Sequence, residues 1–584
     1  MEQRVLVHNA DVAAVFQQIA DLLEIEGNNP FRIRAYRNAA RMLSTLAPSV
    51  QTMVEENRDL KELPGIGPDL AGKIIEIVAT GTCALREQLR QELPPAIHEL
   101  LSVPGLGSKR VKTLYDERNI QTLDQLARAA RAGEISTIPG FGQRAEQRIL
   151  EAVQAKLSKA RRFRIDMAAQ IAEALVAYLR AGEDARQIEI AGSYRRRQET
   201  VGDLDIVMSS ARPIRLLQRF VEFGDVAQVQ SHGTTRASVL LRQGIQVDAR
   251  VVADSSFGAA LHYFTGSKAH NIAVRRLAQA HGWKLNEYGL FSNERRIAGE
   301  TEASVFKAVG LPYIEPELRE NRGEIEAAQA GHLPKLVSLT DLRGDLHAHT
   351  RASDGKNSLR EMALEAQRRG FAYLAITDHS QKLRVAHGLD SGALAKQVDE
   401  IDRLNEELSG IRLLKGIEVD INEDGTLDMP DAMLARLDIV IGAVHSKFTL
   451  PRERQTERIL RAMDHPCFTL LAHPTGRMIF ERDAYEVDML RIIRHAKERG
   501  CFLELNAQPE RLDMTDTYCL AAKREGVLVS IGSDAHSVFD FDDLRFGVGQ
   551  ARRGWLEKKD VLNTRPLGAL MKLLGRTRLA ALST

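Results

Sequence analysis

The chain has 584 residues, which is too long for one hydrophobic core, so we expect several domains. With 80 Lys and Arg against 79 Asp and Glu, its balanced charge excludes a generally basic nucleic-acid binder and leaves local clusters for that role. Four cysteines without a CxxC pair exclude a disulfide scaffold, and we find neither a signal peptide nor a membrane-spanning apolar run. We therefore expect a cytoplasmic protein with no membrane partner.

One short pattern (an apolar residue, Pro, Gly, an apolar residue, Gly) recurs three times in the first quarter of the chain, starting at Leu63, Val103 and Ile138. Each copy precedes a predicted helix, whose free N-terminal N–H groups suit a phosphate oxygen. The pattern resembles the helix-hairpin-helix motif; a turn between packed helices is the alternative for any one copy. The candidate DNA-binding glycines are Gly65, Gly67, Gly105, Gly107, Gly140 and Gly142.

Upstream of the first copy, the segment from Asn29 to Arg37 places cations around an aromatic residue. Arg32 and Tyr36 are the candidate DNA contacts of this segment. A solvated helix face is the alternative interpretation.

A Gly-Ser turn at Gly192 and Ser193 follows a strand-like run and precedes a second one, from Leu204 to Met208. Because side chains in a strand repeat every two residues, Asp203 and Asp205 share one face of the second strand. A third acid, Asp248, lies in another strand-like run. Carboxylates on neighbouring strands could hold two Mg²⁺ or Mn²⁺ ions, so the pattern indicates a nucleotidyl-transferase site. For the pair alone, ordinary strand-end acids are the alternative.

Together with the segment from Tyr263 to Ser267, these residues closely resemble the family X DNA polymerases, which include DNA polymerase beta. The resemblance spans roughly the first 320 residues and implies lyase-like, fingers, palm and thumb domains. It implies that Asp203 and Asp205 bind both catalytic metals and that Asp248 binds the one nearer the primer 3′-OH. For the incoming dNTP it implies contacts from Gly192, Ser193, Arg196, Gly202, Tyr263, Phe264, Gly266 and Asn271.

The same resemblance suggests a lyase residue. Lys73 lies in the helix after the first hairpin motif, where the family's Schiff-base lysine lies. A solvated surface lysine is the alternative. Asp69 also stands where the eukaryotic relatives usually carry a cation.

From Leu342 onward, apolar strand-like runs end in metal-capable residues and alternate with helical segments. This repetition predicts a parallel α/β barrel with ligands at the C-terminal strand ends. Imidazole and carboxylate ligands suit Mn²⁺, Zn²⁺ or Fe²⁺ better than Mg²⁺. The pattern is similar to the polymerase and histidinol phosphatase (PHP) family of metal-dependent phosphoesterases. That resemblance implies up to three metal ions held by His347, His349, Asp354, His379, Glu418, His445, His473, Asp534 and His536.

The predicted fold is multidomain: helical helix-hairpin-helix domains, an α+β nucleotidyltransferase palm with a thumb, and a PHP barrel of distorted TIM type. The predicted segments are the lyase-like domain 1–85, fingers 86–155, palm 156–255, thumb 256–316, linker 317–340 and barrel 341–584. We expect the linker to be long enough to act as a hinge.

The bacterial form of family X combines these parts, and the resemblance covers essentially the whole chain. It implies a monomeric repair polymerase that fills gaps in gapped or nicked duplex DNA with a 5′-phosphate. It also implies a 3′–5′ exonuclease, with AP endonuclease, 3′-phosphodiesterase and 5′-dRP/AP lyase as further activities. A histidinol-phosphate-type phosphatase with a DNA-targeting appendage and a non-catalytic DNA-end scaffold are the alternatives. The complete sets of acids and histidines argue against both.

Overall fold

The computed structural model describes residues 9–46, 50–56, 58–92, 100–101, 103, 106–118, 120–160 and 162–581. The chain divides into two compact units, Met1–Arg161 and Arg162–Thr584. None of the helices among the described residues is long and apolar enough to cross a membrane.

The first unit is helical. Its core contains Phe16, Ile19 and Leu23 from the first helix and the apolar residues of the later ones. A capping box at Thr122 and Gln125 begins one helix, and a left-handed Gly81 ends another. Its described helices are α1 Asn9–Glu26, α2 Pro30–Thr45, α3 Val50–Glu55, α4 Pro68–Thr80, α5 Ala84–Glu92, α6 Ser108–Arg118, α7 Leu123–Arg131 and α8 Gln143–Ala160.

The second unit begins with an α+β region, the predicted palm. Its elements are β1 Phe163–Arg164, α9 Ile165–Arg180, β2 Gln187–Ile190, α10 Gly192–Arg195, β3 Thr200–Val201, β4 Asp203–Ser209, α11 Pro213–Val221, β5 Val226–His232, β6 Arg236–Leu241 and β7 Gln246–Val252. The main sheet has the order β2-β4-β7-β6-β5. Strands β4 and β7 are parallel, and the other neighbours are antiparallel. Apolar residues alternate with polar ones along β6 and β7, so one face of the sheet packs in the core.

The predicted thumb follows directly. It contains α12 Phe257–Thr265, α13 Lys268–Ala280, β8 Lys284–Asn286, β9 Gly289–Ser292, β10 Arg295–Ala298 and α14 Glu302–Ala308, and the next helix, α15 Glu324–Gln329, lies in the segment predicted as a linker. Its three strands form an antiparallel sheet in the order β10-β9-β8.

Residues 317–340, predicted as a linker, are folded. Leu318, Ile325 and Ala328 pack in the same hydrophobic core as the thumb helices, and Arg319 is fully buried. Burial of these side chains holds the segment against the thumb, so it does not form a free tether between domains.

The predicted α/β barrel is present. Its elements are β11 Gly344–Asp345, α16 Leu359–Arg368, β12 Tyr373–Ile376, α17 Ser391–Glu407, β13 Arg412–Asp420, α18 Asp431–Leu434, β14 Ile439–Ala443, α19 Arg452–Met463, β15 Leu470–Leu471, α20 Met489–Arg499, β16 Phe502–Asn506, α21 Asp516–Glu525, β17 Val529–Gly532, α22 Leu544–Arg553 and α23 Leu567–Ala581. The strands are parallel and pair in chain order from β11 to β17. A parallel bridge between Ala348 and Ala535 brings the two edges together, so the barrel is nearly closed.

Barrel and palm share a core. Leu512 and Phe546 of the barrel belong to the palm's hydrophobic cluster. Ion pairs between Arg477 and Glu199 (2.6 Å) and between Arg545 and Glu173 (2.7 Å) cross the same boundary. The second unit is therefore packed as one body across the palm–barrel boundary.

Candidate active sites

The three palm acids lie on adjacent parallel strands. Asp205 of β4 is the register partner of Asp248 of β7, and Asp203 begins β4 on the same face. Asp203 is exposed, whereas Asp205 and Asp248 are partly buried. The structure thus brings together all three acids that the sequence predicted as catalytic.

The surroundings of Asp205 suit a cation. Burial, together with the negative charges of Asp203 and Asp248, raises the pKa of Asp205 to about 7. Gly192, in the left-handed region at φ 62°, lies so close that a Cβ there would be 2.6 Å from Asp205 Oδ2. Three converging carboxylates are a donor set that fits Mg²⁺ or Mn²⁺.

The predicted nucleotide contacts lie around these acids. Gly192 and Ser193 begin α10, and the backbone N–H of Ala191 donates to Asp205 O at 2.7 Å. Arg196 follows α10 and donates from Nη1 to Thr265 O at 2.5 Å, beside Gly266. Gly202 directly precedes Asp203.

The other predicted contacts belong to the segment that starts at Tyr263. Tyr263 is 36 % exposed, and the ring of Phe264 lies 5.3 Å from the Arg250 guanidinium carbon. Asn271 Nδ2 donates to Tyr263 O at 2.7 Å. The structure therefore holds the start of α13 against the C-terminal part of α12.

The three hairpin copies share one turn geometry. In each, the backbone N–H of the second apolar residue donates to the first apolar carbonyl: Ile66 to Leu63, Leu106 to Val103 and Phe141 to Ile138, at 3.0–3.1 Å. The second apolar residue is buried every time, whereas the described glycines are exposed. A Cβ added at any of the described glycines, Gly65, Gly67, Gly107, Gly140 and Gly142, would meet no atom within 4 Å. This open space suits the approach of a phosphate backbone. Gly105 lies outside the described residues.

Arg32 and Tyr36 occupy different environments. Arg32 is exposed on α2, but Tyr36 is 1 % exposed and stacks edge-on against Phe16 at 5.4 Å. Tyr36 lies on the inner face of the helix, since Ile33 and Ala40, three positions before and four after it, are buried in the same core. A ring buried in this way is not available to DNA, so Tyr36 does not contribute to a DNA-binding surface.

Lys73 lies on α4 and is engaged locally. Its Nζ donates to Asp69 Oδ1 at 2.6 Å, one helical turn away. The hydroxyl of Tyr36 approaches the other oxygen of Asp69 at 3.4 Å. Asp69, the residue that departs from the eukaryotic pattern, is therefore the direct partner of this lysine.

All nine predicted barrel ligands converge at the C-terminal ends of the strands. Three groups have ligand atoms that lie within 4.8 Å of one another: His349, Asp354, His379 and His536; His347, His349 and Asp534; His379, Glu418 and His445. The ninth residue, His473, lies 2.9 Å from Glu418 Oε1 through its Nε2. Among the described residues, such groups occur in the barrel alone.

Glu418 lies at the centre of this arrangement. Its Oε2 is 2.6 Å from His379 Nδ1 and 3.6 Å from His347 Nε2, and its Oε1 is 3.4 Å from His445 Nε2. Asp534 Oδ1 is 3.0 Å from His349 Nε2. Asp354, on a loop, connects His379 at 3.5 Å with His536 at 3.4 Å.

The donor atoms fit bound metal. His347 Nε2 and His349 Nδ1 are buried without a hydrogen-bond partner, a costly state that a metal ion at a mixed imidazole and carboxylate site relieves. Burial raises the pKa of Glu418, but the surrounding histidines hold it well below its usual range. Burial and two neighbouring histidines, His536 and His379, lower the pKa of His349 to about 3, so this ring is neutral, the form that a metal ion requires.

Three further polar residues hold the predicted ligands in place, and the sequence interpretation missed them. Glu504 Oε1 is 2.7 Å from His347 Nδ1, and Asp420 Oδ1 is 2.7 Å from His445 Nδ1. Asn506 donates to Asp534 Oδ2 at 2.9 Å. Such partners fix which ring nitrogen faces the metal. Two of them, Glu504 and Asn506, alternate with apolar residues in the run from Phe502 to Asn506. This alternation was the sequence signal that could have identified them.

A palm sheet with three strand-borne acids, joined to a barrel with a dense set of histidine and carboxylate ligands, defines a polymerase-type nucleotidyl transferase that carries a PHP-type metal barrel. Family models agree with this class. Residues 7–83 match a helix-hairpin-helix domain, 97–155 a SAM-like helix-hairpin-helix tandem, 260–320 the DNA polymerase beta thumb, and 345–508 the PHP domain.

The DNA polymerase/3′-5′ exonuclease PolX of Bacillus subtilis (strain 168) is 37 % identical over 577 residues, covering 98 % of this chain and 100 % of its own. The chain therefore belongs to the family X DNA polymerases with a C-terminal PHP domain, and the predicted family and fold class are confirmed.

The barrel alone has other relatives. A "probable phosphatase" of Thermoanaerobacter sp. (strain X514) is 32 % identical over 232 residues, covering 38 % of this chain and 89 % of its own.

Among solved structures, a Leishmania infantum polymerase beta in a ternary P/T complex is 26 % identical, covers 38 % of this chain and 98 % of its own, and has a TM-score of 0.31.

Proposed function

We propose that this protein fills short gaps in duplex DNA with its palm and trims 3′ ends with its barrel, as a monomeric repair enzyme of the cytoplasm. The observation that carries the polymerase assignment is the register of Asp205 opposite Asp248, with Asp203 on the same face. Family membership supports the pairing of this activity with a 3′–5′ exonuclease, the activity named for the Bacillus subtilis relative.

In the palm, Asp203, Asp205 and Asp248 would hold two Mg²⁺ or Mn²⁺ ions. Ions bound there supply the positive charge that lowers the pKa of the primer 3′-OH and neutralises the leaving pyrophosphate. Ser193 and Arg196 bind the triphosphate, because a hydroxyl and a guanidinium both donate to phosphate oxygens. The segment from Tyr263 to Asn271, which Arg196 contacts through Thr265 O, flanks the sugar of the dNTP.

In the barrel, the nine residues from His347 to His536 would hold up to three Mn²⁺, Zn²⁺ or Fe²⁺ ions. Such ions provide Lewis-acid chemistry for cleaving a phosphodiester. Glu504 and Asp420 hold the rings of His347 and His445 in a fixed orientation. We propose 3′-terminal nucleotides as the main substrate, with AP endonuclease and 3′-phosphodiesterase reactions at the same site.

The hairpin turns would hold the DNA. Their exposed glycines and helix N-termini bind phosphates without reading bases, which suits gapped or nicked duplex DNA with a 5′-phosphate. Exposed Arg32 adds charge. Lys73 would provide lyase activity; its ion pair with Asp69 must open before its amine attacks an abasic sugar.

A phosphatase is the second candidate for the barrel, because the named relatives of this region are probable phosphatases. The phosphatase would hydrolyse a phosphomonoester, whereas the exonuclease hydrolyses a 3′-terminal phosphodiester. The exonuclease should shorten a 5′-labelled primer, whereas the phosphatase should leave its length unchanged.

The experiment is a double dissociation on gapped duplex DNA, with dNTPs and Mg²⁺ or Mn²⁺. Asp205→Asn should lower nucleotide addition by on the order of a thousandfold and leave degradation intact, since it removes one metal-binding carboxylate. Asp225→Asn, at the other edge of the palm sheet, is the matched control. Normal extension by Asp205→Asn would exclude the acid assignment.

The other arm combines His347→Ala with His349→Ala. We expect loss of degradation and of bound transition metal, with extension retained, because both rings ligate the barrel site. Elemental analysis and a 5′-labelled primer measure the two effects. Release of phosphate from a small monoester by an enzyme that leaves the primer intact would identify the phosphatase instead.

A further inference from the structure

We infer that Arg553 of the barrel is a positioning residue for Arg196 of the palm, so that the barrel completes the nucleotide subsite of the polymerase. The inference rests on the proposed function, which assigns Arg196 to the triphosphate. It adds to that function a physical connection between the two halves.

Helix α22 brings Arg553 to the palm. Phe546 of this helix is buried in the palm core, and Gly549 lies against the palm loop, where a Cβ would be 3.2 Å from Arg197 Cβ. Residues three and four positions apart share a helix face, so Phe546, Gly549 and Arg553 point to the palm together. Because the helix approaches the palm loop closely at Gly549, Arg553 on the next turn lies beside Arg196.

Arg553 is buried, and both terminal nitrogens of its guanidinium donate hydrogen bonds. Its Nη1 donates to the carbonyl oxygen of Arg196 and to Glu320 Oε1, each at 2.8 Å, and its Nη2 donates to Asp516 Oδ2 at 2.9 Å. It is 4 % exposed. The guanidinium therefore fixes the backbone of Arg196 and the carboxylate that holds the side chain of Arg196.

Glu320 transmits this contact to the guanidinium of Arg196. Glu320 Oε1 accepts from Arg196 Nε at 3.0 Å and from Gln198 Nε2 at 2.6 Å. With Nη1 bonded to Thr265 O, the Nη2 of Arg196 bonds to no described residue. Nη2 of Arg196 is therefore the nitrogen that would donate to a phosphate oxygen of the nucleotide.

The charges support the same conclusion. Burial raises the pKa of Glu320, but the cations of Arg196 and Arg553 hold it below its usual range, so the carboxylate is ionised. Three arginines, Arg196, Arg553 and Arg322, pair with two carboxylates, Glu320 and Asp516, which leaves one positive charge for the triphosphate. Without Arg553, Glu320 would neutralise Arg196 and compete with the nucleotide for it.

The test uses the full chain and compares Arg553→Met, Arg553→Lys and a control, Arg545→Met. Arg545 also lies on α22 and also pairs with the palm, at Glu173, but contacts neither Arg196 nor Glu320. For Arg553→Met we expect the KM for dNTP to rise about tenfold, with kcat within about twofold and degradation equal to that of the control. Its Tm should fall, since Glu320 and Asp516 lose a buried partner. Arg553→Lys, which keeps the charge, should recover part of the KM.

The outcomes are separable. Failure of the wild type and of Arg545→Met to extend a gapped primer would refute the proposed function. An unchanged KM in Arg553→Met, with extension intact in the wild type, would overturn the inference alone. A lowered Tm with equal loss of extension and degradation in both Arg553 variants would show a structural role and overturn it as well.

Discussion

At the scale of single residues, the barrel site depends on carboxylates that do not face the metals. Glu504 is fully buried; one oxygen is 2.7 Å from His347 Nδ1, and the other accepts the backbone N–H of His473 at 2.9 Å. A Cβ at Gly532 would clash with this carboxylate, so the neighbouring strand leaves room for it. Since this contact occupies Nδ1 of His347, we propose Nε2 as its ligand atom.

Glu504→Gln keeps the size of the side chain and removes its charge. We expect metal affinity and degradation to fall between about tenfold and a hundredfold, because the amide holds the imidazole N–H less strongly. Metal titration followed by a degradation assay measures the effect, and extension should be unchanged. Glu498→Gln, an exposed change on α20, is the control. Wild-type metal affinity in Glu504→Gln would show that His347 needs no such partner.

At the scale of elements, the hairpin turns combine a buried apolar anchor with an exposed glycine at the start of a helix. Gly67 is the N-cap of α4 and makes no side-chain cap bond, so its helix begins with unpaired donors. An aspartate is a favoured N-cap residue, yet its charge would repel a DNA phosphate. Protein stability and DNA affinity should therefore respond in opposite directions.

The double variant Gly67→Asp with Gly142→Asp tests this geometry. We expect unchanged or higher thermal stability, weaker binding to gapped DNA, and a salt dependence that is shallower by about one to two phosphate contacts. Fluorescence anisotropy over a salt series measures the slope. Gly224→Asp, another exposed glycine with no atom within 4 Å of a Cβ, is the control. An affinity equal to that of the control would remove these turns from the DNA surface.

At the scale of the whole molecule, palm and barrel are joined through a common core. Phe546, 6 % exposed, extends from α22 into the palm cluster. Phe546→Ala should lower the free energy of unfolding by about 3–5 kcal/mol, since it leaves a cavity where the two domains meet. Hydrogen exchange should show faster exchange in palm and barrel strands together. Phe539→Ala, 77 % exposed, is the control. Acceleration confined to one domain would argue against a shared core.

Local patterns in the chain were sufficient for several features. The turn geometry of the hairpin copies, the common face of Asp203 and Asp205 and the strand-end positions of His347 and His473 all follow from short-range sterics. Each depends on residues within a few positions of one another, so the sequence alone was enough to predict them.

Other features required the tertiary structure. The burial of Tyr36, the packing of residues 317–340 against the thumb and the partners of His347 and Arg196 depend on which distant segments meet. Glu504 is 157 positions from His347, and Arg553 is 357 positions from Arg196. A local periodicity cannot predict such a pairing. The pairing depends on how distant segments pack together in one core, and that is decided by the whole fold.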